Sequence, residues 1–326
     1  MSFQPRNILL FGATGNIGRH ILAAVLSARD SFDRVAIFTS PATAQAKAAF
    51  FDDLRASKRV EVIVGDIRDE EAVRKAYTGI DTVISALGRL AIAAQIPLVY
   101  LAAASPSVRW FLPSEYGTDV AYGPSSAHEK PHQQKLAVRA ALEEVAERGD
   151  LAYTYVVTGP YPEMYMRGFP CGREGGGWDV VGRRATLLGE RGEGRVSFTA
   201  MKDVGTLVLA TLRNSSASLN RALKVNSFTT TPAAIHAEFE RQTGGAPWPD
   251  VQYTPLERLR ALEQQAWEAG QSHATVLTLR RIWTEGGTLY ETRDNAVVGD
   301  PPLTSLEEVV AQIVREETEK EDKARV

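Results

Sequence analysis

Residues 8–22, ILLFGATGNIGRHIL, place a glycine at every third position between an apolar run and a helical pattern. Gly12 can turn the chain tightly, Gly15 lets the backbone approach a pyrophosphate, and Gly18 allows a helix to pack closely on the strand. The N–H groups that open this helix then face the anion. The spacing predicts a strand over 8–11, a helix starting near Asn16 and a dinucleotide site between them. The alternative is a tight turn in a protein that binds no nucleotide.

Short apolar runs alternate with helical patterns through the first half of the chain. Such alternation predicts βαβ units and an α/β fold, a Rossmann-type doubly wound parallel sheet. We expect residues 1–158 to form an NAD(P)-binding Rossmann domain. The predicted strands are 8–11, 34–38, 60–64, 82–86, 108–112 and 153–157, and the predicted helices are 17–28, 70–76 and 134–147.

From residue 158 the sequence becomes rich in glycine, proline and aromatic residues, in TGPYPEMYMRGFPCGREGGGW. A stretch of this kind is typical of a functional loop or a lid. Its aromatic residues, with Met164 and Met166, predict an apolar or flat small-molecule substrate, bound between the nicotinamide and the loop at 161–178. Further on we expect a strand followed by a helix that starts at a Thr-Pro pair, and a C-terminal helix capped by Thr304 or Ser305. Residues 159–326 are thus predicted to form a smaller substrate-binding region and lid, with chain crossings back to the sheet.

Charge and composition exclude several classes of protein. The chain has 37 Lys and Arg against 40 Asp and Glu, a net charge of −3, so no overall basic field attracts nucleic acid. The basic pairs at 183–184 and 280–281 are predicted to be solvated surface. No stretch reaches the roughly 20 apolar residues of a membrane span, and the single cysteine, Cys171, excludes a disulfide framework and a cysteine-rich zinc site. We expect a cytoplasmic protein with no metal, membrane or nucleic-acid partner.

The end of the second predicted strand bears on the choice between NAD and NADP. An acidic residue there would bind the ribose 2′-hydroxyl of NAD, but this strand ends AIFTSP, with Thr39 and Ser40. Hydroxyl and backbone N–H groups suit a 2′-phosphate, over which Lys47, Arg55 or Lys58 would close. We therefore expect the cofactor to be NADP, and NADPH in its reduced form.

A second informative stretch is RWFLPSEYGTDV, residues 109–120, in which a strand runs into Pro113, Ser114 and Glu115. Together with GATGNIGRHI, this stretch resembles the isoflavone reductase and NmrA-like family, the atypical short-chain dehydrogenases. Plant members carry a very similar FLPSEFG segment, and SFTTTP and TSLEE nearer the C-terminus are similar to fungal relatives, which suggests a fungal member. The resemblance is strongest over residues 7–161.

The resemblance implies a catalytic lysine in the following helix, and the matching residue is Lys135 in PHQQKLAVRAALEE. Helical spacing places Lys135 on the same face as Val138 and Leu142, so the ammonium points inward. There it can hold the nicotinamide ribose hydroxyls and assist proton transfer. The alternative is a lysine that extends to the surface, which Arg139 one turn later favours.

Ordinary short-chain dehydrogenases place a tyrosine four residues before this lysine, and the residue here is Pro131. The proton donor is then Lys135 itself, His132 or a nearby tyrosine. The tyrosines considered are Tyr116, Tyr122, Tyr161 and Tyr165. Tyr116 replaces a phenylalanine common in plant relatives, and its hydroxyl can reach the pocket. The expected catalytic residues are Lys135, Tyr116 and His132.

The expected cofactor contacts combine the glycine loop with the carboxyl ends of the predicted strands. Asp66 follows a strand, where a carboxylate can meet the adenine edge, and Gln95 matches a glutamine frequent in the family, with a positional role. The full set is Gly12, Thr14, Gly15, Asn16, Ile17, Gly18, Thr39, Ser40, Asp66, Ser85, Ala86, Leu87, Gln95, Pro113, Ser114, Lys135, Gly159 and Tyr161.

The resemblance implies an enzyme, an NADPH-dependent reductase that transfers hydride to a small organic, secondary-metabolite substrate at a C=N imine, a conjugated C=C or a C=O bond. The alternative is an NmrA-like redox sensor that binds the dinucleotide without catalysis; such sensors tend to lack the lysine. Sugar-nucleotide epimerisation fits the fold but requires the Tyr-Lys pair. A small-molecule substrate is the expected partner, and a homodimer is compatible with the sequence although no motif specifies it.

Overall fold

The computed structural model describes residues 3–57 and 59–325, so the candidate phosphate ligand Lys58 lies outside the described residues. In that part of the chain the strands are β1 (Asn7–Phe11), β2 (Arg34–Thr39), β3 (Glu61–Val64), β4 (Thr82–Ser85), β5 (Trp110–Leu112), β6 (Ala152–Val157), β7 (Gly177–Asp179), β8 (Arg184–Leu188), β9 (Val196–Phe198), β10 (Arg221–Lys224), β11 (Phe228–Thr230) and β12 (Asp250–Thr254). The α-helices are α1 (Gly18–Ser27), α2 (Pro41–Ala46), α3 (Ala48–Ser57), α4 (Glu70–Tyr77), α5 (Gln95–Ala103), α6 (Gln133–Glu147), α7 (Pro162–Tyr165), α8 (Met201–Arg213), α9 (Ser215–Ser218), α10 (Pro232–Gln242), α11 (Leu256–Glu268), α12 (Ala274–Thr284) and α13 (Leu306–Arg325).

The predicted fold class is confirmed. Within the described residues seven parallel strands form one sheet in the order β10-β6-β5-β4-β1-β2-β3, and each of the six predicted strands is in it. The order reverses between β1 and β4, and open α/β sheets bind their ligands at the carboxyl ends of the strands beside such a point.

The five inner strands of the sheet, β1, β2, β4, β5 and β6, are largely buried, whereas the edge strands β3 and β10 are not. In β1, Ile8 and Leu10 belong to one hydrophobic core, and Leu9 and Phe11 belong to the core on the opposite face. Helices cover both sides, which is why the predicted strands are continuous apolar runs rather than alternating ones. The helix predicted at 134–147 is α6, and it packs in the second of these cores.

After residue 158 the chain returns to the sheet. α8 lies against α1 so closely that a Cβ on Gly205 would sit 2.2 Å from the carbonyl oxygen of His20. β10 then pairs with β6 and extends the sheet. The remaining strands form a three-stranded sheet in the order β12-β8-β7 and a pair of β11 with β9, counted within the described residues.

The glycine- and proline-rich stretch that follows β6 is packed. Tyr165, Met166 and Trp178 are buried in a third hydrophobic core. The Trp178 ring stacks on Phe239 with 6.0 Å between ring centroids. Met166 therefore supports this core and does not line a cavity. The role of the stretch as a lid stays a prediction.

The predicted helix starts in the second half are also present. Thr231 caps α10 by accepting a hydrogen bond from the Ala234 N–H at 3.1 Å. At α13 the cap is Ser305, which exchanges hydrogen bonds with Glu308 in a capping box. Thr304, the other candidate, donates its hydroxyl to Asp203 of α8 at 2.9 Å.

Candidate active site

The glycine loop between β1 and α1 has the geometry of a phosphate cradle. Gly12 has a φ of +75°, and a Cβ there would lie 2.4 Å from the carbonyl oxygen of Ala86. A Cβ on Gly18 would lie 2.0 Å from the carbonyl oxygen of Gly12. A side chain at either position would therefore displace backbone. Gly15 is exposed, and a Cβ there would lie 3.3 Å from its nearest neighbour, the carbonyl oxygen of Gly12. A ligand can therefore approach the backbone at Gly15.

A cavity of about 530 Å³ begins at this loop and runs along the carboxyl ends of the strands; we call it the cofactor groove. It begins where the first N–H groups of α1 lack partners within the helix, and such groups bind anions. The residues present thus fit a dinucleotide. The predicted cofactor residues that line the groove are Gly15, Asn16, Ile17, Ala86, Leu87, Ser114, Lys135 and Tyr161.

Other predicted cofactor residues shape the groove from behind. Gln95 is buried, accepts a hydrogen bond from the Ser114 N–H at 2.8 Å and donates to the carbonyl oxygen of Ile92 at 3.1 Å. The Ser114 hydroxyl donates to the Leu87 carbonyl at 2.8 Å. Pro113 and Ser85 are buried. Gln95 thus fixes the backbone at Ser114, and its role toward a cofactor stays a prediction.

At the end of β2, polar groups surround the position expected for the adenosine ribose. Thr39 ends the strand, and Ser40 caps α2 by accepting a hydrogen bond from the Thr43 N–H at 3.2 Å. The Lys47 ammonium reaches back to the glycine loop and donates to the Thr14 carbonyl at 2.9 Å. Of the two described basic candidates, Lys47 therefore lies at the loop, whereas Arg55 pairs with Asp52 at 2.9 Å.

Asp66, the predicted adenine contact, is paired with a basic residue. It binds Arg68 at 2.7 Å, and the hydrogen bonds from Arg68 lower the pKa of the Asp66 carboxyl to about 2. Asp66 is half exposed and ionised at neutral pH, so it can still accept hydrogen bonds at this edge.

Lys135 lies in the first turn of α6 and points inward. Its Nζ donates a hydrogen bond to the carbonyl oxygen of Glu115, in the loop that follows β5. Burial lowers the pKa of the Lys135 ammonium. The side chain faces the protein interior, so the alternative of a surface lysine does not apply.

Arg139, one turn after Lys135, is buried as well. It forms a bidentate ion pair with Glu115, at 3.0 and 2.8 Å, and a longer contact with Asp119 at 3.5 Å. Its guanidinium lies over the Tyr155 ring, 4.4 Å from the centroid. The pair fixes the loop after β5 and with it the carbonyl oxygen that Lys135 binds.

Tyr116 and His132, the other two catalytic candidates, each bring an unsatisfied polar atom to the site. Tyr116 Oη and His132 Nε2 are buried and have no hydrogen-bond partner within the described part of the chain. His132 Nδ1 lies 3.1 Å from the carbonyl oxygen of Ser126, so the Nδ1 carries the proton of the neutral ring. Burial lowers the pKa of His132 and raises that of Tyr116.

The remaining candidate tyrosines either donate hydrogen bonds to other groups or pack in the third core. Tyr161 donates its hydroxyl to the carbonyl oxygen of Tyr116, and Tyr122 donates to Glu129 at 3.1 Å. Tyr165 packs edge-on against Phe198 and at a tilt against Trp283, in the third core.

A second cavity of about 510 Å³ adjoins the groove; we call it the substrate cavity. Tyr116, Gly117, His132 and Lys135 form one side of it, and Gly159 and Met164 form another. Gly159, predicted to contact the cofactor, lines this cavity and not the groove; its φ is +68° and a Cβ would lie 2.6 Å from the Ser197 carbonyl oxygen.

Sequence reasoning missed the wall opposite Lys135, which is one face of α12. The residues concerned are Thr275, Val276, Leu279, Arg280 and Trp283. Trp283 also donates a hydrogen bond to the Thr118 hydroxyl at 2.7 Å, which ties α12 to the loop after β5. No local signal marked this wall, because Arg280 stands next to a second arginine, a pattern typical of a solvated surface. The prediction that residue 280 lies on the solvated surface is wrong, because its side chain is 1% exposed.

The groove and the substrate cavity meet along a shared wall. The residues that line both are Arg89, Tyr116, Pro131, Lys135, Tyr161 and Thr275. Lys135 and Tyr116 thus face an elongated ligand in the groove and a small molecule in the cavity. This arrangement allows transfer between two bound molecules beside an ammonium and a phenol.

The described residues contain neither a candidate membrane span nor a candidate metal cluster. No helix there is long and apolar enough to span a membrane. No group of three or more His, Cys, Asp and Glu side chains in the same residues is arranged to hold a metal ion.

Comparisons with known proteins identify the family of the chain. Residues 4–268 match the model of the NmrA-like family. Isoflavone reductase from Pisum sativum is 30% identical over 252 residues, which cover 73% of this chain and 76% of that protein. Oxidoreductase aprR from Aspergillus flavus is 29% identical over 314 residues, which cover 94% of this chain and 98% of that protein.

Solved structures share the fold. A crystal structure of isoflavone reductase has a TM-score of 0.77 at 24% identity and covers 95% of this chain and 100% of its own. A structure described as "AtPrR2 with NADP+ and (+)pinoresinol" has a TM-score of 0.78 at 20% identity, covering 96% and 99%. With the family match over residues 4–268, these findings show that the chain belongs to the NmrA-like family, among its isoflavone reductase-like members.

Proposed function

We propose that this chain is an NADPH-dependent reductase that transfers hydride from the cofactor to a small organic molecule in the substrate cavity. The observation that carries the proposal is the shared wall, where Lys135 and Tyr116 face both the cofactor groove and the substrate cavity. The chain is an oxidoreductase of the isoflavone reductase-like type, by its likeness to a named reductase and a named oxidoreductase.

NADP is the cofactor we propose, in preference to NAD. Asn16 and Ile17 would hold the pyrophosphate on backbone N–H groups, while the N–H of Gly15 donates to the Gly12 carbonyl oxygen at 3.0 Å and closes the turn. At the adenosine end, the Lys47 ammonium lies at the glycine loop and Ser40 follows a strand that carries no acidic residue. A cation and hydroxyl groups favour a 2′-phosphate over a free hydroxyl. A solved structure of the same fold is described with NADP+, which supports binding of a dinucleotide of this kind in the groove.

Lys135 is the proton donor we favour among the candidates. Burial lowers the pKa of its ammonium, which makes it a stronger acid than an exposed lysine. Burial raises the pKa of Tyr116, which makes that phenol a weaker acid. Tyr116 then orients the substrate through its unpartnered Oη. His132 is neutral and presents an Nε2 lone pair, so it accepts a hydrogen bond or relays a proton through water.

The substrate is a small molecule with an apolar body. Val276, Leu279 and Met164 line its cavity, and the polar groups of the active site lie on one side. The relatives are named for reduction of an isoflavone and of a phenylcoumaran benzylic ether. We propose a C=N, conjugated C=C or C=O bond as the hydride acceptor.

Separate measurements of cofactor binding and of turnover distinguish a reductase from a redox sensor. NADPH and NADH are titrated by intrinsic fluorescence into wild type, Lys135→Met and a matched control, Lys202→Met, whose lysine is exposed on α8. NADPH oxidation is then followed with panels of enones, ketones and cyclic imines. We expect all three proteins to bind NADPH and only Lys135→Met to lose turnover. Equal NADPH binding with no oxidation across the panels contradicts the reductase and favours the sensor.

A further inference from the structure

Arg280 is a buried cation in the wall of the substrate cavity that lacks a counter-ion. Its side chain is 1% exposed, and within the described side chains no carboxylate lies at ion-pair distance from it. Nη1 donates to the carbonyl oxygen of Gly175 at 2.9 Å, and Nη2 donates to that of Tyr165 at 3.0 Å. Nε has no partner in the described chain. Two of the five N–H donors of the guanidinium are therefore used.

The protein compensates this charge only in part. Buried charges in proteins are ordinarily paired or fully hydrogen-bonded, because removal from water is costly. Here two neutral carbonyl groups and the Tyr165 ring, 4.9 Å from the guanidinium carbon, supply the attraction. Burial lowers the pKa of Arg280, yet a guanidinium stays protonated at neutral pH.

The neighbouring residue shows the ordinary arrangement. Arg281 contacts three carboxylates, those of Glu129, Glu263 and Glu285, at 2.7, 2.5 and 2.9 Å. It does not line the substrate cavity, whereas Arg280 does. Two consecutive arginines of α12 thus differ in their partners. Arg281, which does not line the cavity, is paired with carboxylates, whereas Arg280, which lines it, keeps N–H donors that have no hydrogen-bond partner in the described chain.

We propose that Arg280 binds a carboxylate of the substrate, so that the natural substrate of this chain is a small organic acid. The apolar cavity walls hold the body of the molecule, and the planar guanidinium suits a carboxylate through two N–H groups. Thr275 lines both cavities, and Arg280 follows it by five residues, or about 7.5 Å along the helix axis. Arg280 lines the substrate cavity but not the groove, so the carboxylate would lie at the part of the cavity away from the cofactor. The inference that a reducible bond exists rests on the proposed function; the carboxylate site does not.

Matched acids and esters test the site without turnover. Benzoate, phenylacetate, trans-cinnamate and 4-phenylbutanoate, each with its methyl ester, are titrated by calorimetry into the protein with and without NADP+. We expect at least one acid to bind wild type about tenfold or more tighter than its ester, the ratio typical of a charge-assisted hydrogen bond. Arg280→Met should bind that acid and its ester equally, and Arg280→Lys should keep part of the preference.

The control is Arg281→Met, which removes the adjacent charge outside the cavity and should keep the acid preference. Thermal melts report whether each variant folds; if Arg280→Met does not, the wild-type ratio and Arg280→Lys decide. No acid preference in wild type overturns the proposal, and so does a preference that survives in Arg280→Met or disappears in Arg281→Met. If the acids bind selectively while no NADPH is consumed, the carboxylate site stands and the reductase proposal fails.

Discussion

The cofactor groove and the substrate cavity have nearly equal volumes, about 530 and 510 Å³, but they are built differently. The phosphate end of the groove is backbone, and Gly12 and Gly18 leave no room there for a side chain. The substrate cavity is walled by side chains, including those of α12. The hydrogen bond from Arg280 of α12 to the carbonyl oxygen of Gly175 joins two positions that are 105 residues apart in the sequence. A site made of backbone requires glycine at fixed spacing, whereas a wall of side chains depends on tertiary packing and leaves no local motif.

The largest effect is expected at Gly12, where the backbone itself makes the site. A Cβ would lie 2.4 Å from the Ala86 carbonyl oxygen, on a φ of +75°. Gly12→Val should abolish NADPH binding in a fluorescence titration and lower the free energy of unfolding by at least about 1–3 kcal/mol. Gly123→Ala is the control, since a Cβ there meets nothing within 4 Å. Full NADPH affinity in Gly12→Val would remove the distinction between the two cavities.

Next comes Lys135, on the wall that the cavities share. Lys135→Met should lower kcat by about 10²–10⁴-fold while NADPH still binds. Burial lowers the pKa of Lys135 below its ordinary value of about 10.4. The ammonium donates its proton only below that pKa, so kcat of wild type should fall as the pH rises through it. A pH profile measures this; the same alkaline fall in Lys135→Met would assign proton donation to another group.

A third prediction concerns the buried ion pair that supports the shared wall. Arg139→Met leaves the carboxylate of Glu115 buried without its bidentate partner, which should cost about 3–5 kcal/mol of unfolding free energy. Urea denaturation measures the loss. The control is Arg148→Ala, whose exposed pair with Glu144 should contribute less than about 1 kcal/mol. Similar losses in the two variants would mean that burial does not set the strength of these pairs.

The smallest effect is expected at Lys47, an exposed side chain at the outer edge of the groove. Its contribution should be about 1 kcal/mol, so Lys47→Ala should weaken NADPH binding about fivefold and leave NADH unchanged. Arg55→Ala provides the comparison, because Arg55 is held by Asp52. Equal losses for NADPH and NADH in Lys47→Ala would show that the ammonium holds the loop and does not select the 2′-phosphate.

The sequence was informative where local chemistry fixes the structure. The apolar runs predicted six strands, and the spacing of Gly12, Gly15 and Gly18 predicted the turn with its tight contacts. Helical spacing alone indicated that Lys135 points inward, and the structure places it there.

The parts that could not be predicted depend on long-range packing. Arg280 has a charged side chain next to a second arginine, a pattern typical of a solvated surface. Its burial depends on carbonyl groups of Tyr165 and Gly175, more than one hundred residues earlier. Met166 and Met164 are two residues apart in the same loop, yet one is in a core and the other lines the cavity.

The shared wall has a thermodynamic consequence. Two ligands that contact the same side chains cannot bind independently, and their coupling is reciprocal: the factor by which the cofactor changes substrate affinity equals the factor by which the substrate changes cofactor affinity. On the proposed function, the gain in NADPH affinity caused by the substrate and the gain in substrate affinity caused by NADPH are therefore two measurements of the same coupling free energy. Tyr116 and Thr275, which line both cavities, are the residues at which a substitution should change the two gains by the same factor.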